Sequence, residues 1–153
     1  MRPVEPLLMA EGLCRCYRRR DSFGRSKEHV RVVDGVSLQI ERKQSLGIAG
    51  RSGSGKSTLA RLLLALEEPD EGVVRFDGTI ISGMPEKQIR PLRSRFQAVL
   101  QDPTTSLDPC LHVGTIVAEP LVAHSMGGAD ERRRRVAEVL RHVGLEADAA
   151  DYY

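Results

Sequence analysis

Neither sign of charge is in real excess: 23 basic residues face 21 acidic ones, a net charge of +2. A dedicated nucleic-acid binder would carry a clear basic surplus, so no nucleic-acid partner is expected. No apolar run approaches the roughly 18 residues of a membrane span. The N-terminal "MRPVEPLLMAEGL" has too short an apolar stretch, with a glutamate on either side, for a signal peptide. Cysteine is scarce and odd in number. Cys14, Cys16 and Cys110 form no C-x-x-C pair, and His112 and His124 add no ligand spacing. They read as reduced cytosolic thiols rather than a disulfide frame or metal centre. Internal repeats and low-complexity segments are lacking too. What is present is a chain of one-domain size, 153 residues with 41% hydrophobic content, enough to bury about 70% of its unfolded surface if it closes.

The most informative stretch is "GRSGSGKST" at 50–58. Gly50 to Ser57 fits G-x-x-x-x-G-K-[ST], a phosphate-binding loop. Such a loop points several backbone N–H groups at a phosphate chain. It needs Gly53 and Gly55 and tolerates Ser52 and Ser54, because bulk would block the approach. Lys56 can reach the terminal phosphates, and the Ser57 hydroxyl can bind Mg²⁺. The flanks agree: "SLGIAG" (45–50) has strand length, and "STLARLLLAL" (57–66) is helix-forming without Gly or Pro. A Gly/Ser-rich surface turn would need neither the lysine, the hydroxyl nor both flanks.

Along the rest of the chain, 6–17 reads as a strand start and the polar, basic 18–31 as a loop. The segment 32–40, around Asp34–Gly35, reads as two short strands or one bulged strand. "EEPDEG" (67–72) ends the helix as a turn, and 73–82 forms a hairpin about Asp77–Gly78. A helix over 85–95 is interrupted by Pro91, and "FQAVLQ" (96–101) is another short strand. Residues 113–125 read as helix with Pro120 inside. In the last helix, capped by Asp130, the residues Val136, Val139, Leu140 and Val143 fall on one face before Gly144 stops it.

The strand ending in Gln101 decides the class of loop protein. At "LQDP", together with "GRSGSGKST", the sequence resembles the ATP-binding subunits of ABC transporters. The string "QDPTTSLDP...VGTIVAEPL" resembles the subgroup serving oligopeptide, dipeptide and nickel importers. The arm around Phe23–Gly24 is similar to the second ATPase of a two-ATPase importer. The resemblance covers roughly residues 7–145. It implies an α/β fold with a P-loop NTPase core: an antiparallel β part from 7–40 and 73–82, a strand–loop–helix unit at 45–66, a strand at 96–101 and a helical region at 113–143. It implies ATP and Mg²⁺ as cofactors. Lys56 and Gln101 would be the catalytic contacts, and Ser57 and Gln101 the Mg²⁺ ligands. Gly50, Ser52, Gly53, Ser54, Gly55, Lys56, Ser57 and Thr58 would form the phosphate cradle. Tyr17 would stack on adenine with its ring and not its hydroxyl. Partners would be transmembrane permease subunits and a second ATPase, on the cytoplasmic face of the membrane, without contact to cargo.

Three family elements are not in the sequence: an "LSGGQ"-type signature, an apolar strand ending in Asp–Glu, and a later switch histidine. "VVRFD" ends in Asp77 and "AVLQD" in Asp102, but neither supplies the glutamate of a general base. The expectation is the N-terminal, C-terminally incomplete part of a cassette (1–153), not hydrolytically competent alone, with the sheet edges beside the 45–50 strand left open. The alternatives are a non-catalytic nucleotide-binding fragment and a different P-loop NTPase. A GTPase would need N-K-x-D, which is absent. A small-molecule kinase would not account for Tyr17, Gln101 and "AEPL" together.

Overall fold

The computed structural model describes residues 5–20, 26–100 and 107–152. Its internal contacts divide it into two units, Met1–Gln97 and Ala98–Tyr153.

In the first unit, β1 (Leu8–Arg20) and β2 (Ser26–Ile40) pair antiparallel, from Leu8 opposite Ile40 to Arg20 opposite Ser26. The basic stretch expected to be loop from 18 is therefore strand to Arg20 and again from Ser26. An antiparallel ladder extends through backbone hydrogen bonds, which a basic sequence supplies as well as an apolar one. β2 is one bulged strand: Leu13 faces Val36 and Arg15 faces Val33, so Cys14 opposes both Asp34 and Gly35. There the Gly35 N–H points at Cys14 Sγ, 3.2 Å away.

β3 (Glu71–Phe76) pairs with the other edge of β1, and β4 (Thr79–Ile80) closes the sheet in the order β2-β1-β3-β4. The expected hairpin is present. Its two turn residues, Asp77 and Gly78, have φ of 49° and 76°, the paired left-handed conformation that matches the twist of two strands. Arg42 and Arg95 both pair with the Asp77 carboxylate.

α1 (Lys56–Leu63) lays Leu59, Leu62 and Leu63 into the core. That spacing puts all three on one helix face. There they join Ala10, Leu13, Val33, Val74, Phe76, Ile81 and Ile89. α2 (Glu86–Ile89) passes into a 3₁₀ segment, Arg90–Arg95. Pro91 lacks an N–H to continue the α-helical pattern, as expected.

Two expected strands are not formed. Residues 45–50 and 96–100 have no strand partner among the described residues. Leu46 and Ile48 stay 43% and 42% exposed. A short apolar run becomes a strand only when a neighbour completes its ladder, and a buried parallel strand needs a neighbour on both edges.

In the second unit, α3 (Val113–Ala123) and α4 (Ala129–His142) precede a 3₁₀ turn at Ala147–Asp151. The Val113 N–H donates to the Tyr152 carbonyl at 2.8 Å. Gly128, not Asp130, caps α4, and Asp130 sits in the first turn. The chain is extended at Gly128 and turns helical at Ala129, so the cap falls two residues before Asp130. Val136 and Leu140 are buried, but Val139 and Val143 are exposed, so the apolar stripe is narrower than its spacing suggests. Among the described residues, no helix is long and apolar enough to cross a membrane.

Candidate functional site

Residues 50–55 curl tightly before α1. The Ser54 N–H donates to the Arg51 carbonyl at 3.2 Å. The Lys56 ammonium turns back across this curl and donates to the carbonyls of Gly50 at 2.8 Å and Arg51 at 2.7 Å, with Ser54 Oγ at 3.5 Å. One charge thus gathers both ends of the loop.

Gly55 caps α1 with φ of 90°. A Cβ there would lie 2.4 Å from the Val32 carbonyl oxygen, so no side chain fits. This close approach seats the loop on β2. The α1 cap makes no side-chain hydrogen bond, and no acidic residue occupies the first turn. The N–H groups of that turn lack intrahelical partners, and together with the helix dipole they favour an anion. Ser57 and Thr58 are in the same turn, with Ser57 exposed. Amides, one ammonium and one hydroxyl form a donor set that fits a phosphate chain with Mg²⁺, a cation that takes few protein oxygens and shares phosphate oxygens. Cations held by several protein carboxylates or imidazoles are a different case: among the described residues no such cluster forms.

Tyr17 belongs to a second polar group. Its hydroxyl donates to Glu67 Oε1 at 2.5 Å, and the same oxygen accepts from Arg15 Nε at 2.7 Å. Arg15 Nη1 reaches Asp70 Oδ1 at 2.9 Å, and the Arg15 guanidinium carbon stands 5.2 Å from the centre of the Tyr17 ring. Asp70 Oδ2 accepts the Cys16 backbone N–H at 2.6 Å. Burial pushes the Glu67 carboxyl toward neutrality, but the hydrogen bonds from Tyr17 and Arg15 outweigh it and hold its pKa below the ordinary value. For Asp70 the Cys16 N–H is the leading cause of a lowered pKa.

The structure brings Gly50, Ser52, Gly53, Ser54, Gly55, Lys56, Ser57 and Thr58 together as one loop and helix turn. Tyr17 stands on β1, opposite Val30. Gln101, Asp102, Phe23 and Gly24 lie outside the described residues. Sequence reasoning missed Arg15 and Glu67. They are 52 residues apart, and Glu67 read only as part of a turn cluster, so no local signal joined them.

The family described as ABC transporter matches residues 33–153, more than half of the chain. The dipeptide transport ATP-binding protein DppF of Haemophilus influenzae is 39% identical over 150 residues, 97% of this chain and 45% of the relative. The oligopeptide transport ATP-binding protein AppF of Bacillus subtilis is 40% identical over 132 residues, 86% of this chain and 40% of the relative. The chain thus spans less than half the length of either. Among solved structures, the ATP-binding cassette MJ0796, in a dimeric post-hydrolysis state bound to ADP and Pi, superposes with a TM-score of 0.78 at 26% identity. The match covers 95% of this chain and 60% of that one.

Proposed function

The chain belongs to the ABC transporter family, and we propose that it is the nucleotide-binding part of an importer ATPase whose cargo is peptides. The observation that carries this reading is the curled loop at 50–55, with the Lys56 ammonium drawn across it and the partnerless first turn of α1 beside it. The names of both relatives specify peptide transport, which supports peptides among the cargo classes the resemblance implies. The partners in this reading are permease subunits and a second ATPase, at the cytoplasmic face of the membrane.

The chemistry follows from the donors. The first-turn amides would hold the phosphates, and the Lys56 ammonium, now on the loop carbonyls of Gly50 and Arg51, would turn to the terminal phosphate. Ser57 would offer its hydroxyl oxygen to Mg²⁺, whose charge would offset that of the phosphates. Tyr17 offers a ring face to the adenine. Gln101 would stand at the metal and the attacking water.

Binding without turnover is the expected behaviour of this chain by itself. Asp77, which follows the last residue of β3, is held in a turn between Arg42 and Arg95 and is not poised as a base. A missing general base alone removes about 10²–10⁴-fold in rate.

Two measurements test the reading. Lys56→Ala should abolish binding of labelled ATP; equal binding by the variant removes the loop assignment. Phosphate release with Mg²⁺ and ATP should stay at the level of that variant. Release at an ordinary ATPase rate would show that a base is present which this reading does not identify.

A further inference from the structure

We propose that Glu67 and Arg15 are positioning residues that lock the Tyr17 ring in one pose, leaving a single face open to a nucleotide base. The proposal rests on the reading of Tyr17 as the base-facing residue and adds what holds it there.

Arg15 and Tyr17 are two apart on β1, so their side chains leave the strand on the same face. Three restraints then act on one ring. The backbone is fixed by pairing with Val30. The hydroxyl is fixed by Glu67 at 2.5 Å. One ring face is covered by the Arg15 guanidinium at 5.2 Å, within the range of a cation–π contact. Glu67 is only 16% exposed and Arg15 only 25%, and Asp70 secures the far side of the guanidinium. The residue two along β2 from Val30 is Val32, whose carbonyl is the group pressed against Gly55. The clamped ring therefore belongs to the stretch of sheet that the phosphate loop touches. A base tethered to phosphates in that loop meets a ring whose rotamer is already set, and little side-chain freedom is lost on stacking. The hydroxyl, which stacking alone does not use, acquires a role.

The test measures the affinity of the purified chain for Mg²⁺–ATP and for inorganic tripolyphosphate, which has no base. Tyr17→Ala should weaken ATP binding about 5- to 150-fold, the range of base stacking on an aromatic side chain. Tyr17→Phe and Glu67→Ala should each weaken it about 2- to 10-fold, the range of one lost hydrogen bond. The two together should do no more than the worse of them. Glu67→Gln, which keeps an acceptor for the hydroxyl, should recover most of the loss. Tripolyphosphate affinity should not move in any of them.

If Tyr17→Ala weakens ATP binding while Tyr17→Phe and Glu67→Ala do not, the stacking stands and the clamp is overturned. If Tyr17→Ala has no effect, or the unsubstituted chain does not bind ATP, the underlying reading falls and the clamp with it. An equal loss for tripolyphosphate would make Glu67 a support of the fold and overturn its role toward the base.

Discussion

β3 and the segment 45–50 are both six residues long, and each carries apolar side chains, yet they end in opposite states. In β3, Val74 and Phe76 are buried on one face while their neighbours turn outward. In 45–50, Leu46 and Ile48 remain more than two-fifths exposed and no ladder forms. The difference is the company each keeps. β3 lies between β1 and β4, so it is paired along β1 and, at Arg75 and Phe76, on its other side too. Its buried side chains join the core cluster that holds Leu59, Leu62 and Leu63. Segment 45–50 has no such neighbours among the described residues. The phosphate loop that follows it is nevertheless curled, because its supports lie elsewhere: Lys56 on the loop carbonyls, Gly55 on β2, and α1 on the sheet.

Truncating one apolar residue in each region gives the largest contrast. Phe76→Ala should cost about 3–5 kcal/mol in denaturant unfolding. Ile48→Ala should cost less than about 1 kcal/mol, as at an exposed site. A matching loss at Ile48 would break the comparison, because it would place 45–50 in a packed strand.

Glycines sharpen it at a smaller scale. Gly78→Ala forces a side chain into a left-handed turn and should cost about 1–2 kcal/mol. Gly47 has open space at its Cβ position and no positive φ, so Gly47→Ala should leave stability unchanged or raise it by up to about 1 kcal/mol. Thermal melts of the two variants distinguish a turn that demands glycine from a segment that does not.

The smallest effect concerns pH. The hydrogen bond from Arg95, opposed by partial burial and aided by Arg42, holds the Asp77 carboxyl below its ordinary pKa. A depressed carboxylate pKa adds stability above the unfolded value, about 3.9 for Asp, and that stability is lost as the pH falls through the folded value. Asp77→Asn should therefore be less stable than the parent at pH 7, and the gap should close on acidification below about pH 4. A gap independent of pH would mean that the carboxylate charge is not what ties this hairpin to Arg42 and Arg95.

The sequence makes legible what local chemistry dictates. The loop at 50–57 is written in its glycines and its lysine, the hairpin in Asp77–Gly78, the helix break in Pro91. The bulge at Gly35 was one of two readings left open by a Gly inside an alternating pattern. What could not be read is what depends on partners distant in the chain. Nothing in 45–50 or 96–100 states whether a neighbour will complete a ladder. Nothing in 18–20 states that a basic run will continue a strand, since the ladder uses backbone and not side chains. The exposure of Val139 and Val143 reflects which helix face is covered, which periodicity alone does not settle. The Arg15–Glu67 pair escaped for the same reason, and with it the use of the Tyr17 hydroxyl.

β3 stops pairing with β1 at Cys14, and at Cys16 the carboxylate of Asp70 takes the N–H that a third strand would have taken. From Tyr17 to Arg20 the ladder has two strands only, and a two-stranded ribbon is marginal on its own. Amide hydrogens there should exchange with solvent through local opening, while those of Ala10 and Leu13 wait for the unit to unfold. Tyr17 stands on the first of the fast rungs, and the stacking of a base against its ring should slow the exchange of the rungs just beyond it.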